Sequence, residues 1–136
     1  MNKSIRFFIA YVLLTALSFS VALTTAEAQS NRPQDTVGLE KTIRFKRGAI
    51  SAVVRGQIKL GTVHRYYVGA AAGQQMAVVL KTGSQTSFTV SAQSAGILEG
   101  ADGVRQAVVE LPESGDYLIE IGTDRTANYT LEVAIK

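Results

Sequence analysis

The sequence predicts an all-β protein: an eight-stranded antiparallel β-sandwich, with a jelly roll as the expected topology. After residue 40, apolar and polar side chains alternate with a period of two, and no segment shows the 3.6-residue period of an amphipathic helix. Short segments rich in Gly, Ser and Pro separate the alternating runs, as turns do between strands. The chain contains no Cys, so a packed core rather than disulfides must hold the fold.

The N-terminus has the features of a cleaved export signal. Lys3 and Arg6 form a cationic start, an apolar run extends from Phe7 to Leu23, and Ala26-Glu27-Ala28 supplies the small residues of a cleavage site. The polar segment after it contains Pro33 and shows no periodicity. The sequence therefore predicts a signal peptide over residues 1–28, a flexible leader over 29–40 and a single β-sandwich domain over 41–136. We expect a periplasmic or secreted protein without a membrane anchor.

The predicted strands are the runs in which one row of apolar residues alternates with a polar row. The third run is apolar on both faces and is expected to lie centrally or beneath a loop. In chain order the runs are Ile43–Phe45, Ala52–Ile58, Val63–Ala70, Met76–Leu80, Phe88–Val90, Ala107–Leu111, Tyr117–Ile121 and Tyr129–Ile135.

Turn chemistry separates these runs. One long loop is expected from Ala95 to Gly103. The tight connection Pro112-Glu113-Ser114-Gly115 precedes the seventh run, where Pro112 presets φ and Gly115 is able to adopt a positive φ.

The residues needed for catalysis are mostly missing. His64 is the only His, no Cys nucleophile exists and no Gly-x-Ser-x-Gly elbow is present. Zinc needs several His or Cys ligands. Loop acids at Glu99, Asp102 and Asp124 leave calcium as an open alternative to simple solvation. We therefore expect a non-enzymatic protein without a cofactor.

Charge is distributed unevenly, although the net charge of +3 is too small to imply nucleic acid as a partner. Residues 41–65 carry seven basic side chains and no acid, whereas residues 99–132 carry eight acids against two arginines. The favoured interpretation is that basic and acidic strands pair across a sheet. The alternative is a basic patch that faces an acidic partner.

Two features suggest recognition of a protein partner. Tyr66 and Tyr67 point to opposite faces of one strand, so at most one of them serves the core. Arg125 lies at the tip of a predicted loop. Arg and Tyr are the usual anchors of protein interfaces, but core packing of Tyr66 and pairing of Arg125 with Asp124 or Glu113 are the favoured alternatives.

The chain resembles the periplasmic inhibitors of g-type lysozyme. Residues 47–74 match that family without a gap, and the match continues near the C-terminus. The matching pieces are Gly48, Ser51-Ala52, Gly56, Ile58-Lys59, Tyr66, Ala70, Gly73-Gln74, Leu111-Pro112, Ser114-Gly115, Tyr117, Arg125, Tyr129 and Ile135-Lys136.

The resemblance implies a β-sandwich that inhibits lysozyme by inserting loops into the glycan cleft. It implies partner-binding roles for Ser114, Gly115, Tyr117 and Arg125. Tyr66, one of the two adjacent tyrosines, is the remaining partner-binding candidate. The family has a longer basic loop after the arginine, which Thr126-Ala127-Asn128 replaces here.

More broadly, the chain is similar to bacterial pre-peptidase C-terminal domains, which share the Gly-Gln turn and the Leu-Pro-x-Ser-Gly-x-Tyr hairpin. That similarity implies an alternative function as a module that contacts cell-wall glycan or calcium. A homodimer formed through an open sheet edge is also an open possibility.

Overall fold

Nine strands in two sheets make up the fold of the computed structural model, which describes residues 35–136. The predicted signal peptide and residues 29–34 of the predicted leader lie outside the described residues. The described residues contain no helix long and apolar enough to cross a membrane. The strands are β1 (Thr36–Thr42), β2 (Ser51–Ile58), β3 (Thr62–Ala70), β4 (Gln75–Thr82), β5 (Thr86–Ala92), β6 (Gly96–Ile97), β7 (Gln106–Glu110), β8 (Gly115–Thr123) and β9 (Ala127–Ile135).

The two sheets confirm the predicted β-sandwich. One sheet has the order β1-β3-β8-β5-β6 and the other the order β2-β9-β4-β7. Consecutive strands alternate between the sheets at every step except from β5 to β6. All pairs are antiparallel except β1 with β3, which are parallel.

Strand β1 corrects both the predicted leader and the all-antiparallel prediction. It begins at Thr36, inside the segment assigned to the leader, and pairs with β3 from Thr36 opposite Thr62 to Thr42 opposite Tyr67. Every side chain of β1 is exposed except Leu39, which is half-buried. Backbone hydrogen bonds rather than side-chain burial hold this strand, so no alternating apolar row marks it in the sequence.

The first predicted strand, Ile43–Phe45, is wrong because its apolar side chains pack against the core without strand pairing. Ile43 and Phe45 alternate with polar residues, but they lie in the connection between β1 and β2. Ile43 is buried, and Phe45 is half-buried against the core. The alternation of apolar and polar residues here therefore reflects a loop that packs against the core, not a strand. The two-residue strand β6 is the other addition, and it lies inside the predicted long loop.

The core lies between the two sheets, and the predicted inward rows of the remaining strands fill it. β3 is the predicted run that is apolar on both faces. It lies between β1 and β8, which agrees with the expected central position. Buried residues of the predicted rows include Met76, Val78, Leu80, Phe88, Val90, Ala107, Val109, Leu111, Tyr117, Ile119, Ile121, Tyr129, Leu131, Val133 and Ile135.

Ion pairs cross neighbouring strands on the outer faces. Arg65 Nε donates to Glu120 Oε2 at 2.8 Å between β3 and β8. Lys81 Nζ lies 3.7 Å from Glu132 Oε2 between β4 and β9. Arg65 is the only member of the basic run 41–65 that forms an ion pair within the described part of the chain. The predicted pairing of basic with acidic strands therefore accounts for one of the seven basic side chains.

Candidate partner-binding loops

The connections between strands form two groups at opposite ends of β8. Gly115 of β8 pairs with Ala70, and Thr123 pairs with Thr86, which assigns each connection to one end. The Ser114 end comprises the connections 43–50, 71–74, 93–95 and 111–114. The Arg125 end comprises the connections 59–61, 83–85, 98–105 and 124–126.

Hydrogen bonds join neighbouring connections at the Ser114 end. Ser114 Oγ accepts a hydrogen bond from the backbone N–H of Ala72 at 2.9 Å. Glu113 Oε1 accepts one from the backbone N–H of Ser94 at 3.0 Å. Three connections that are distant in sequence are therefore fixed to one another, and nothing in the local sequence around Ser114 identifies Ala72 or Ser94 as its neighbours.

Tyr117 supports this end from inside the core. Its side chain is 0% exposed, and its hydroxyl donates to the carbonyl of Glu113 at 2.5 Å and accepts from the N–H of Glu113 at 3.1 Å. Gly115, between them, adopts a φ of 146°, in the range that favours glycine, as the turn chemistry predicts. A fully buried ring does not contact a partner, so the expectation of direct partner binding by Tyr117 is wrong.

Tyr66 is also a core residue. Its side chain is 1% exposed, and its Oη lies 2.6 Å from Tyr129 Oη, which in turn lies 2.7 Å from His64 Nδ1. Burial lowers the pKa of His64 and raises the pKa of Tyr129, which favours the neutral form of each side chain. The expectation of partner binding by Tyr66 is therefore wrong, because its hydroxyl and ring are used inside the sandwich. Of the Tyr66-Tyr67 pair, Tyr67 is the one on the outer face.

Tyr67 lines a shallow cavity of about 360 Å³ on the outer face of the five-stranded sheet. Asp116 and Leu118 of β8 line the same cavity. The sequence places Tyr66 and Tyr67 on opposite faces but does not decide which faces outward, because β3 is apolar on both.

Arg125 lies exposed at the other end. Its Nε is 3.5 Å from Asp124 Oδ1, and 67% of its side chain is exposed. Thr123 Oγ1 donates to the carbonyl of Arg125 and accepts from its N–H at 3.3 Å. These two bonds fix the backbone of the loop while leaving the guanidinium accessible. The pairing with Asp124 matches one of the sequence alternatives, whereas Glu113 lies at the Ser114 end.

The structure brings Ser114 and Gly115 together and separates them from Arg125. β8 has nine residues, which at about 3.4 Å per residue puts its two ends roughly 27 Å apart. Residues 114 and 125 therefore belong to two different surfaces, although only the strand β8 separates them in the sequence.

The remaining chemistry-bearing residues are dispersed. Among residues 35–136, no group of three or more His, Asp or Glu side chains is placed to hold a metal ion. Asp102 Oδ1 accepts a hydrogen bond from Thr89 Oγ1 at 3.1 Å, and Asp124 pairs with Arg125 in a different loop. His64 Nδ1 is hydrogen-bonded to the hydroxyl of Tyr129 rather than to a serine or a carboxylate.

No protein-family model matches the chain, and no curated protein sequence matches it. Solved structures do match. The PliG protein of Aeromonas hydrophila, a periplasmic lysozyme inhibitor of g-type lysozyme, is 28% identical over 72% of this chain and 97% of its own, with a TM-score of 0.62. A mutant of the corresponding Escherichia coli inhibitor is 20% identical over 74% of this chain and 100% of its own, with a TM-score of 0.63.

A pre-peptidase C-terminal domain of a Bacillus anthracis collagenase also matches. It is 13% identical over 71% of this chain and 94% of its own, with a TM-score of 0.49. The resemblance to the g-type lysozyme inhibitors is thus confirmed by the fold, which extends over nearly the whole of the matched inhibitor chains.

Proposed function

We propose that this protein is an exported, non-enzymatic inhibitor of g-type lysozyme. The observation that carries the proposal is the similarity to the Aeromonas hydrophila inhibitor, which is 28% identical and matches over 97% of its own length. The predicted signal peptide over residues 1–28 supports a periplasmic location, where a lysozyme that reaches the cell wall would be encountered.

We further propose that the Arg125 end enters the lysozyme cleft. Glycosidase clefts carry a pair of catalytic carboxylates, and a guanidinium is the side chain best suited to bind a carboxylate with two hydrogen bonds. The Asp124–Arg125 pair is exposed on both sides. Such a pair contributes less than about 1 kcal/mol. Arg125 is thus able to exchange Asp124 for a carboxylate of the target.

The Ser114 end offers fewer unused polar groups. The hydroxyl of Ser114 is already an acceptor for Ala72, and Tyr117 is buried beneath the loop. Because the two ends lie on opposite sides of the sandwich, a single cleft accommodates only one of them. A rigid inserted loop loses little conformational entropy on binding, and the bonds between Thr123 and Arg125 supply that rigidity.

A turbidity assay on bacterial cell walls tests the function. The protein is expected to slow lysis by g-type lysozyme and to leave c-type and i-type lysozymes unaffected. The protein should release no soluble fragments from peptidoglycan when no lysozyme is added.

Binding to insoluble peptidoglycan without any effect on lysozyme rates would contradict the proposal. It would favour the glycan-binding module instead, and loss of that binding with a chelator would point to calcium.

A further inference from the structure

A cluster of basic side chains lies on the side of the sandwich where β1 ends and β2 begins. A cavity of about 510 Å³ opens there. Lys41, Arg44 and Lys46 line it together with Val53, and no Asp or Glu does. Arg47 and Ile50 are exposed on the same connection. We call this surface the basic face; it consists of Lys41, Arg44, Lys46, Arg47, Ile50 and Val53.

The fold holds the basic face in place. Ile43 is buried, and its N–H donates to the carbonyl of Tyr67 at 2.7 Å. The N–H of Ala49 donates to the carbonyl of Lys46 at 2.8 Å across a turn. The carbonyl of Ile50 accepts from Ile135 at 2.8 Å. The connection is therefore attached at its start, its turn and its end, and its charged side chains project from an ordered backbone.

Within residues 35–136, no acidic side chain forms an ion pair with the cations of the basic face. The ion pairs of the described residues involve Arg65, Lys81 and Arg125, and none involves the four basic side chains of this face. Like charges gathered on one surface raise its positive potential and attract anions. The surface therefore favours an anionic partner that neutralises several charges at once.

The apolar side chains of the basic face indicate which kind of anionic partner it binds. Ile50 is 57% exposed and Val53 is 52% exposed, whereas Phe45 of the same connection packs against the core. Protein interfaces are depleted in lysine and are anchored by aromatic side chains, and this face has two lysines and no exposed aromatic ring. Basic residues beside exposed aliphatic ones are typical of surfaces that bind the interface of an anionic membrane.

We propose that the basic face docks the protein on an anionic phospholipid surface. Its four basic side chains bind headgroup phosphates, and Ile50 and Val53 contact the boundary between headgroups and acyl chains. The connection 43–50 belongs to the Ser114 end. A protein docked in this way presents the Arg125 end to the aqueous space. This docking does not depend on lysozyme inhibition.

Sedimentation with lipid vesicles tests the proposal. The protein recovered from the periplasm of an expressing cell is mixed with vesicles of phosphatidylcholine alone or with phosphatidylglycerol added. It should bind only the anionic vesicles, and high salt should weaken the binding. Failure to bind anionic vesicles at low salt overturns the proposal, as does binding to polyglutamate in place of vesicles.

Charge-matched variants locate the binding surface. Lys41→Ala/Arg44→Ala/Lys46→Ala should bind anionic vesicles about 100-fold more weakly, because each basic residue near such a surface adds about fivefold to the affinity. The control Lys59→Ala/Lys81→Ala/Arg105→Ala removes the same charge from exposed positions elsewhere and should bind like the unchanged protein. Equal losses in the two variants would mean that net charge alone attracts the protein.

Two further measurements separate a membrane from a small anion. Ile50→Ser leaves the charge unchanged and should weaken vesicle binding about fivefold, since it removes an exposed aliphatic contact. Displacement from vesicles by inorganic phosphate, at an ionic strength matched with chloride, would assign the cavity to free phosphate and overturn the membrane proposal. Thermal unfolding of each variant verifies that it is folded.

Discussion

Tyr129 reaches from β9 to the hydroxyl of Tyr66 and the ring of His64 on the opposite sheet, and Gly56 makes room for it. A Cβ at residue 56 would lie 2.6 Å from Tyr129 Oη. Tyr129 Oη is at the same time held by two hydrogen bonds, at 2.6 and 2.7 Å. The ring cannot withdraw without leaving His64 and Tyr66 unsatisfied in the core, and unsatisfied buried polar groups are costly. The absence of a side chain at Gly56 therefore permits the hydrogen bonds that Tyr129 forms between the sheets.

Gly56→Ala should lower the free energy of unfolding by about 1–3 kcal/mol, because the added methyl displaces Tyr129. Urea denaturation measures the change. Gly122→Ala is the matched control, since Gly122 lies in β8 and a Cβ there meets nothing within 4 Å. That control should leave stability unchanged or slightly increased. Similar losses in the two variants would contradict the role assigned to the space beside Tyr129.

At the scale of elements, β8 organises both ends of the sandwich. It lies between β3 and β5 in the five-stranded sheet, and the connection before it is tied to Ala72 and Ser94. Tyr117, the first buried residue of β8, hydrogen-bonds the backbone of Glu113 four residues earlier. The ring thereby connects the start of the strand to the turn that precedes it. Tyr117 therefore stabilises the Ser114 end.

Tyr117→Phe should lower the free energy of unfolding by about 1–2 kcal/mol, since it removes the hydroxyl that satisfies both backbone groups of Glu113. Chemical denaturation gives the total effect, and hydrogen exchange at the amide of Glu113 gives the local one. Tyr67→Phe removes a hydroxyl from the outer face of the same sheet and should change stability by less than about 0.5 kcal/mol. Unaltered exchange at Glu113 in the Tyr117 variant would contradict this account.

In the molecule as a whole, the sandwich separates the two proposed binding surfaces. The Arg125 end carries the exposed guanidinium, and the Ser114 end carries the hydrogen-bonded connections together with the basic face. The nine residues of β8 separate them. A partner bound at one end therefore leaves the other end accessible.

Arg125→Ala should weaken inhibition of g-type lysozyme at least tenfold, because hydrogen bonds to a charged group contribute about 1.5–3 kcal/mol. Ala72→Trp places a bulky side chain on an exposed position of the opposite end and should leave inhibition within about twofold. Inhibition constants from lysis rates provide the measurement. The reverse result, with Ala72→Trp inactive and Arg125→Ala unchanged, would move the inhibitory surface to the Ser114 end.

The alternation of apolar residues predicts the seven strands from β2 to β9, apart from β6, together with their buried rows, because the faces of a strand follow from consecutive residues alone. The turn at Gly115 is predictable for the same reason, since its positive φ is a local requirement. β1 is not predictable in this way. Backbone pairing with β3 holds β1 in place, and its exposed side chains leave no alternating apolar row in the sequence.

The amino-acid pattern alone is therefore enough to predict the fold class, the inward rows of the strands and, from the lack of Cys, the need for a packed core. The packing of the two sheets is what places Tyr66 in the core and Tyr67 on the outer face. The tertiary structure also decided that Ser114 and Arg125 lie at opposite ends and that Lys41, Arg44 and Lys46 line one cavity. The physical reason is that a residue's face depends on its own strand, whereas its neighbours depend on how separate strands pair and how the two sheets pack.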